Sequence, residues 1–398
     1  MSQSTPPPDS TTAVHAGAPA ARPHHALSAG VTQTATYTFE STAVLERYMR
    51  GEDPDPDREE YARYSNPTVR ELEQRVAALE GAEDGVAFGS GMAAISTALL
   101  SLVKAGDHVV LFNDCYRRTR QLVRQVLSRF GVEHDVVPAG DLSALGAVLK
   151  PNTRLVVSES PTNPFLYCVD LAKLSEVVKR HGRAKTLVDS TMATPINCRP
   201  LDFGVDLVIH SATKYLSGHN DVLGGVAAGA SHLVSLLRDS RGVLGTVLDP
   251  HAAFLILRGL KTLGLRVSRQ NATALEIARV LEKHPRVERV YYPLLESHPS
   301  HAVARAQMSG GGGVVSFVVR GGREAAARVV DGCKLAAIAP SFGGPETLIE
   351  QPAIMSYFEL SEAELAVLGI SPALVRLAVG VEETPALVAD LIRALDER

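Results

Sequence analysis

No run in the sequence approaches the ~18 apolar residues that cross a bilayer, and no apolar segment follows the first methionine, so no membrane contact is expected. Cysteine is scarce: Cys115, Cys168, Cys198 and Cys333 lie far apart with no CxxC pair. That spacing supports neither a zinc site nor a disulfide framework; it suits a reducing compartment, and a cytoplasmic protein is the expectation. Charge of one sign is also lacking, with a formal net charge of -4, so no basic field draws the chain to nucleic acid. The hydrolase signatures GxSxG and HExxH are missing, as are GxxxxGK[ST] and GxGxxG, which argues against a simple hydrolase or a nucleotide site. The pair His298 and His301 has Pro299 in its turn and only Glu296 nearby, so it reads as a loop and no metal is expected. Small metabolites remain as partners.

With 398 residues, 45% of them hydrophobic, the chain has the length for more than one domain and ample core. Residues 1–30 are rich in Ser, Thr, Ala, Pro and His and poor in acids. They read as a short disordered arm, although a transit peptide shares that bias; a partly disordered arm is expected over 1–60. Asn66 then caps a helix with Pro67 at its first position, and Val69, Leu72, Val76 and Leu79 recur at helical spacing until Gly81. Apolar runs at 85–88, His108–Phe112, 155–157, 186–188 and 205–209 read as strands and alternate with helical stretches such as 121–130 and Leu171–Arg180. This alternation predicts an α/β fold, with right-handed crossovers and a mostly parallel sheet in a large domain, 61–257. After 225 the pattern changes. Helical periodicity at 252–265 and 272–283 is followed by strand-like runs at 287–292 and 313–319, a smaller C-terminal α+β domain over 258–398.

Ligands of parallel sheets bind beyond the carboxyl ends of the strands, and the chemistry-bearing residues stand there. The run at 205–209 stops at His210-Ser211-Ala212-Thr213-Lys214, ahead of a Gly-rich loop. A lysine at that point is either a surface residue or an amine whose pKa is lowered by desolvation and cationic neighbours, which makes it a nucleophile towards a carbonyl. Ser211 and Thr213 each offer a hydroxyl to an anion beside it. Gly89-Ser90-Gly91-Met92 turns from a strand into a helix whose N-terminus offers a phosphate site. Tyr116 follows a strand, where it can stack on a planar ligand, and Arg117, Arg118 and Arg120 follow it. Asn163 is held between Pro161 and Pro164, Asp189 closes a buried strand, and Arg376 sits between apolar neighbours where it needs a carboxylate, internal or from a substrate. Tyr61 and Arg63 either decorate the surface or bind an anion.

Pyridoxal 5′-phosphate (PLP) uses all of these parts. Lys214 would bond its aldehyde, and Asp189 would keep its pyridinium nitrogen protonated. Gly91, Met92, Ser211 and Thr213 would hold its phosphate, Tyr116 would stack on the ring, and Asn163 would orient the ring hydroxyl or the substrate. In order, YARYSNPT, SGMAA, DCYRRT, ESPTNP, VDSTMATP, HSATKYLSGHNDVLGG, RGLKTL, SFGGPETLIEQPA and VRLAVGVE resemble the motifs of the Cys/Met-metabolism PLP enzymes of fold type I, from Thr32 to Leu395. Within that family DCYRRTR, ESPTNPFLYCVD and IAPSFGGPETLIEQPAIMSYFEL look like the plant-type cystathionine γ-synthase branch. The resemblance implies a γ-replacement on an O-phosphoryl, O-succinyl or O-acetyl homoserine by cysteine, with γ-elimination as the alternative. It implies a homotetramer, a dimer of dimers, in which Tyr61 and Arg63 reach the cofactor phosphate of the neighbouring subunit. It also gives Arg376 and Ser341 the substrate carboxylate. Arg117 and Arg118 replace the two glycines common after the stacking tyrosine; the entrance would be more basic, with Arg118 meeting an acidic γ-substituent.

Overall fold

The computed structural model describes residues 9–55 and 57–397, so the first eight residues of the expected disordered arm lie outside the described residues. Further along that arm, Ser10–His15 forms a short helix capped by Asp9, and Ala13 is buried in the core. The helix Pro67–Glu80 begins as its sequence dictates. The Asn66 side chain accepts the Thr68 and Val69 amides at 3.0 and 3.4 Å, and Gly81 ends the helix at φ 67°. Its Val69, Leu72, Val76 and Leu79 are buried.

Seven strands form the larger sheet: β1 (Asp84–Phe88), β2 (His108–Phe112), β3 (Glu133–Val137), β4 (Thr153–Glu159), β5 (Lys185–Asp189), β6 (Leu207–His210) and β7 (Gly225–Gly229), in the order β1-β7-β6-β5-β4-β2-β3. From β6 to β3 every pairing is parallel. The strand β7 is antiparallel to both of its neighbours, which leaves β1 running the same way as β6. The carboxyl ends of β1, β2, β4, β5 and β6 therefore share one edge, and their loops deliver Gly91, Tyr116, Asn163, Asp189 and Lys214 to one place. The antiparallel β7 was not anticipated, because Gly-Val-Ala-Ala-Gly carries little of the bulk that marks a strand. Those small residues have a packing reason: a Cβ on Gly225 would stand 2.1 Å from the Ser90 carbonyl oxygen. The helix expected at 121–130 is broken into Arg117–Gln121, a wide π-type turn at Leu122–Val126 and a tight turn at Leu127–Phe130.

The second sheet has five strands, β8 (Val287–Tyr291), β9 (Val314–Val319), β10 (Ala337–Ile338), β11 (Leu348–Glu350) and β12 (Leu374–Ala378), in the order β10-β11-β12-β9-β8. The helix Leu263–Glu282 packs on it, with Val267, Ala274, Ile277 and Leu281 buried. The division expected at 257–258 falls inside the helix Pro250–Leu260. Antiparallel pairing sets Glu350 directly opposite Arg376 and Ser316 on its other side. Among the described residues no helix is long and apolar enough to cross a membrane.

A buried ion pair ties the helix Pro67–Glu80 to the edge of the large sheet. Arg241 donates to Glu73 Oε1 at 2.5 Å, to the Ala87 carbonyl at 3.0 Å and to the Tyr64 carbonyl at 2.7 Å, and the same carboxylate accepts the Ala87 amide. Both side chains are almost wholly buried, and Arg238, 3.8 Å away, is the nearest other cation on Glu73 among the described residues. Arg241→Met leaves that carboxylate buried with a distant partner, so a loss of about 3 kcal/mol in urea unfolding is expected. A loss below about 1 kcal/mol, the range of a surface pair, would show that Arg238 replaces it.

Candidate active site

A cavity of about 450 Å³ opens at the shared edge of the large sheet, where the small domain covers it. It is lined by Gly91, Met92, Tyr116, Asn163, Asp189, Ser211, Thr213, Lys214, Ser341 and Arg376. These are the residues singled out from the sequence, with three exceptions.

Lys214 lies in the turn after β6, where its Nζ donates to Ser341 Oγ at 2.6 Å and stands 5.1 Å from the centre of the Phe342 ring. Burial, reinforced by the Arg376 charge, lowers its pKa to about 8, so about a tenth of the amine is neutral at pH 7, far more than of an ordinary lysine. Ser341 has φ 93°, a left-handed conformation that costs a non-glycine residue about 1 kcal/mol or more. Its carbonyl is held by Arg376 Nη2 at 3.0 Å.

Asp189 closes β5 inside the cavity. Its Oδ1 accepts the Thr191 amide at 3.0 Å and the Thr191 hydroxyl at 2.5 Å, and no ion pair to it occurs among the described residues. Burial raises its pKa, while the Thr191 donors and then the charge of His210 oppose the rise. Glu159 closes β4 in register with Asp189 and accepts the Tyr116 amide at 2.7 Å. Burial and then the nearby Asp189 and Asp114 carboxylates push Glu159 well above the usual range; Asp114, itself desolvated, is pushed up to about 6. Glu159 was not singled out from the sequence, yet the signal is the one that revealed Asp189, an acid at the end of an apolar strand. Thr191, which supplies both donors to Asp189, was likewise passed over.

The helix Gly91–Leu102 begins at the cavity. The Ser90 side chain takes the Ala93 amide and the Ser90 carbonyl takes the Ala94 amide; nothing among the described residues takes the amides of Gly91 and Met92. A Cβ on Gly91 would sit 2.8 Å from Ser211 Cβ, so only glycine lets this helix end meet the turn that carries Ser211 and Lys214. The Thr213 hydroxyl is already engaged, donating to the Gly224 carbonyl at 3.2 Å and accepting the Gly224 amide at 3.0 Å. It orders the loop after Lys214 and has less to give an anion than its sequence position suggests.

Arg376 is 4% exposed. Its Nη1 donates to Asn163 Oδ1 at 3.3 Å, and its Nη2 lies 3.0 Å from Glu350 Oε1. The carboxylate that a buried guanidinium demands is therefore present within the chain, while the cavity wall still includes Arg376.

Tyr61, Arg63 and Arg118 do not line the cavity of their own chain. The Arg63 guanidinium lies over the Tyr61 and Tyr64 rings and donates to the Gly242 carbonyl at 2.5 Å. Arg118 is exposed and bonds Gln121 Oε1 at 2.7 Å, and Arg117 pairs with Glu359 at 2.9 Å. The short helix starting at Arg117 buries only Thr119 and turns both arginines outward, which the sequence does not reveal without the helix phase. Both ring nitrogens of His298 are taken up by the Phe165 carbonyl and the Ser300 amide, so the HPSH stretch is a braced turn leading into the helix His301–Gln307.

The parts fit PLP on the structure's own terms. A buried carboxylate with no ion pair among the described residues suits a pyridinium nitrogen, free helix amides beside Ser211 suit a phosphate, and a desolvated amine suits an aldehyde. Comparison with known proteins agrees. Residues 10–396 match the family of Cys/Met metabolism PLP-dependent enzymes. The chain is 46% identical to chloroplastic cystathionine γ-synthase 1 of Nicotiana tabacum, over 98% of this chain and 72% of that one. It is 41% identical to an L-methionine γ-lyase of Fusobacterium nucleatum, over 97% of this chain and 98% of that one. The crystal structure of metB from Corynebacterium glutamicum superimposes with a TM-score of 0.90 at 36% identity, covering 97% of each chain. A lysine at the end of a parallel strand, the acid beside it and a match along almost the whole length lead to one conclusion: the chain belongs to the Cys/Met metabolism PLP-dependent enzymes, of fold type I.

Proposed function

We propose that the enzyme replaces the γ-substituent of an O-activated homoserine with cysteine to give cystathionine. The observation that carries this reading is the Lys214–Ser341–Arg376 constellation, in a chain so similar to a plant cystathionine γ-synthase. PLP, when bound, supplies an electron sink for the negative charge left on the substrate α-carbon. The protein does the rest. Arg376 binds the α-carboxylate, Asn163 fixes its orientation, and the Lys214 amine, near Ser341, removes the proton from Cα. Over the whole reaction the Cγ–O bond breaks and a Cγ–S bond forms; the thiol proton is lost and the γ-group departs as an anion.

Half-exposed Tyr61, with Arg63 bonded to Gly242 beside the exposed Val243 and Leu244, supports the further reading that a second copy covers this face and that Tyr61 and Arg63 complete its cofactor site within a homotetramer. The γ-lyase reading is kept because the same residues serve elimination and a methionine γ-lyase is 41% identical.

Mass-spectrometric product analysis of the PLP-loaded enzyme, given O-phospho-, O-succinyl- or O-acetylhomoserine with and without cysteine, distinguishes the two. Cystathionine formed only with cysteine supports replacement; a 2-oxo acid formed equally fast without it supports elimination. Arg376→Lys keeps a positive charge but loses the two-pronged geometry, so KM for the homoserine ester is expected to rise roughly 10- to 100-fold, with a smaller change in kcat. An unchanged KM would remove Arg376 from the carboxylate site.

A further inference from the structure

We propose that Glu350 is a positioning residue which holds the Arg376 guanidinium before substrate binds and takes up a proton when a substrate carboxylate arrives. The inference rests on the reading of Arg376 as the carboxylate site. Glu350 ends β11 directly across from Arg376, is 2% exposed and does not line the cavity; it stands behind the guanidinium. Its Oε1 is 3.0 Å from Arg376 Nη2, yet neither carboxylate oxygen makes a well-directed hydrogen bond, and Arg376 Nε is also without a partner. The pair is held by charge and left open, unlike the Arg241–Glu73 pair at the sheet edge, whose guanidinium donates directly to the carboxylate.

The groups facing the pair are few. Lys214 and the Ser356 hydroxyl act on Glu350, and Tyr215 and Tyr357 face Arg376. Above about pH 8, where the Lys214 amine is mostly neutral, Arg376 and Glu350 balance one another. A second carboxylate brought to the guanidinium leaves one net negative charge in a desolvated space, and one of the two acids must then protonate. Glu350 is the buried one, already raised by desolvation. The arriving carboxylate opens towards solvent and keeps the two-pronged contact. The sign follows: binding consumes a proton, so affinity weakens with rising pH once Glu350 is ionised in the free enzyme, by up to tenfold per pH unit. Substrate thus competes with an internal carboxylate at high pH and finds Arg376 free of it at lower pH.

The test uses propionate, a carboxylate without an amine, so that it cannot react with the cofactor. Its affinity for the PLP-loaded enzyme is measured between pH 6.5 and 8.5. The proton uptake is measured by calorimetry at one pH in two buffers of different ionisation heat. The linkage between lysine and cofactor titrates as well and feels the Glu350 charge, so its titration is followed by cofactor absorbance in each variant and its share of the proton uptake is subtracted. Wild type is expected to take up a larger fraction of a proton than Glu350→Gln, and its dissociation constant is expected to climb more steeply with pH. Glu350→Gln is expected to bind propionate about tenfold more tightly than wild type at pH 8.5. Glu350→Asp, which keeps the acid, is expected to retain the uptake, and it serves as the second variant if the glutamine protein folds poorly. Equal proton uptake in wild type and Glu350→Gln overturns the proposal, as does a change in affinity that is uniform across pH, the mark of a merely structural role. If wild type binds propionate no better than Arg376→Lys does, the carboxylate reading of Arg376 falls, and the proposal with it.

Discussion

Lys214→Ala is expected to reduce kcat by roughly four orders of magnitude while the protein still binds PLP, now without a covalent link. The size of the loss follows from what the amine does and where it stands. Burial and the Arg376 charge bring it down to about 8, so about a tenth of it is available as a base at pH 7, where an ordinary lysine is almost wholly protonated. Its bond of 2.6 Å to Ser341, and the strained Ser341 backbone that Arg376 holds, fix its position. Among the described residues no second amine lines the cavity, so none of them can substitute. Retained PLP is expected because Asp189, the Gly91 and Met92 amides and Ser211 are untouched. The check is single-turnover kinetics combined with the absorbance of the bound cofactor. Activity within tenfold of wild type would remove Lys214 from the chemistry. Loss of all PLP would show that the covalent link, rather than the pocket, holds it.

Much of this site was legible because the sheet is built from apolar runs that end abruptly. His108–Phe112 is a buried strand of the length its residues suggest, and the breaks after β4, β5 and β6 mark the edge where ligands bind. The strands that escaped notice are those that lack the signal. In β7, small residues replace β-branched ones because another backbone passes close by. In β3, at the sheet edge, Glu133, His134 and Asp135 interrupt the pattern, a composition that protects an edge from pairing. Within the site, single residues at strand ends could be found, but relations between residues could not. Arg376 visibly needed a carboxylate; only the pairing of β11 with β12 identifies Glu350 as its partner. Arg118 looked like part of the entrance until the phase of its short helix turned it away. Thr213 looked like an anion ligand until the Gly224 loop engaged its hydroxyl.

Asp189→Asn is expected to lower kcat by about 10²- to 10³-fold, the range for loss of one preorganised electrostatic contact in a buried site. Asparagine makes a clean comparison. Its side-chain oxygen can still accept both Thr191 donors, now at 3.0 and 2.5 Å, so shape and hydrogen bonds persist and only the charge is lost. Without that charge the pyridinium nitrogen loses the partner that keeps it protonated, and the electron sink weakens. Stability of the cofactor-free protein is expected to move the other way. Burial raises the folded-state pKa of Asp189, so its ionised form carries a penalty that is absent below the unfolded-state pKa and fully present once pH exceeds the folded one. Glu159 and Asp114 crowd the same space and add to the penalty felt by this group of acids. At pH 8 the asparagine variant should therefore unfold at the same or a higher urea concentration without cofactor, while its kcat falls. A carboxylate that merely holds the fold together would lose both together. An unchanged kcat, with stability reduced, would assign Asp189 to the scaffold and leave the pyridinium without a partner.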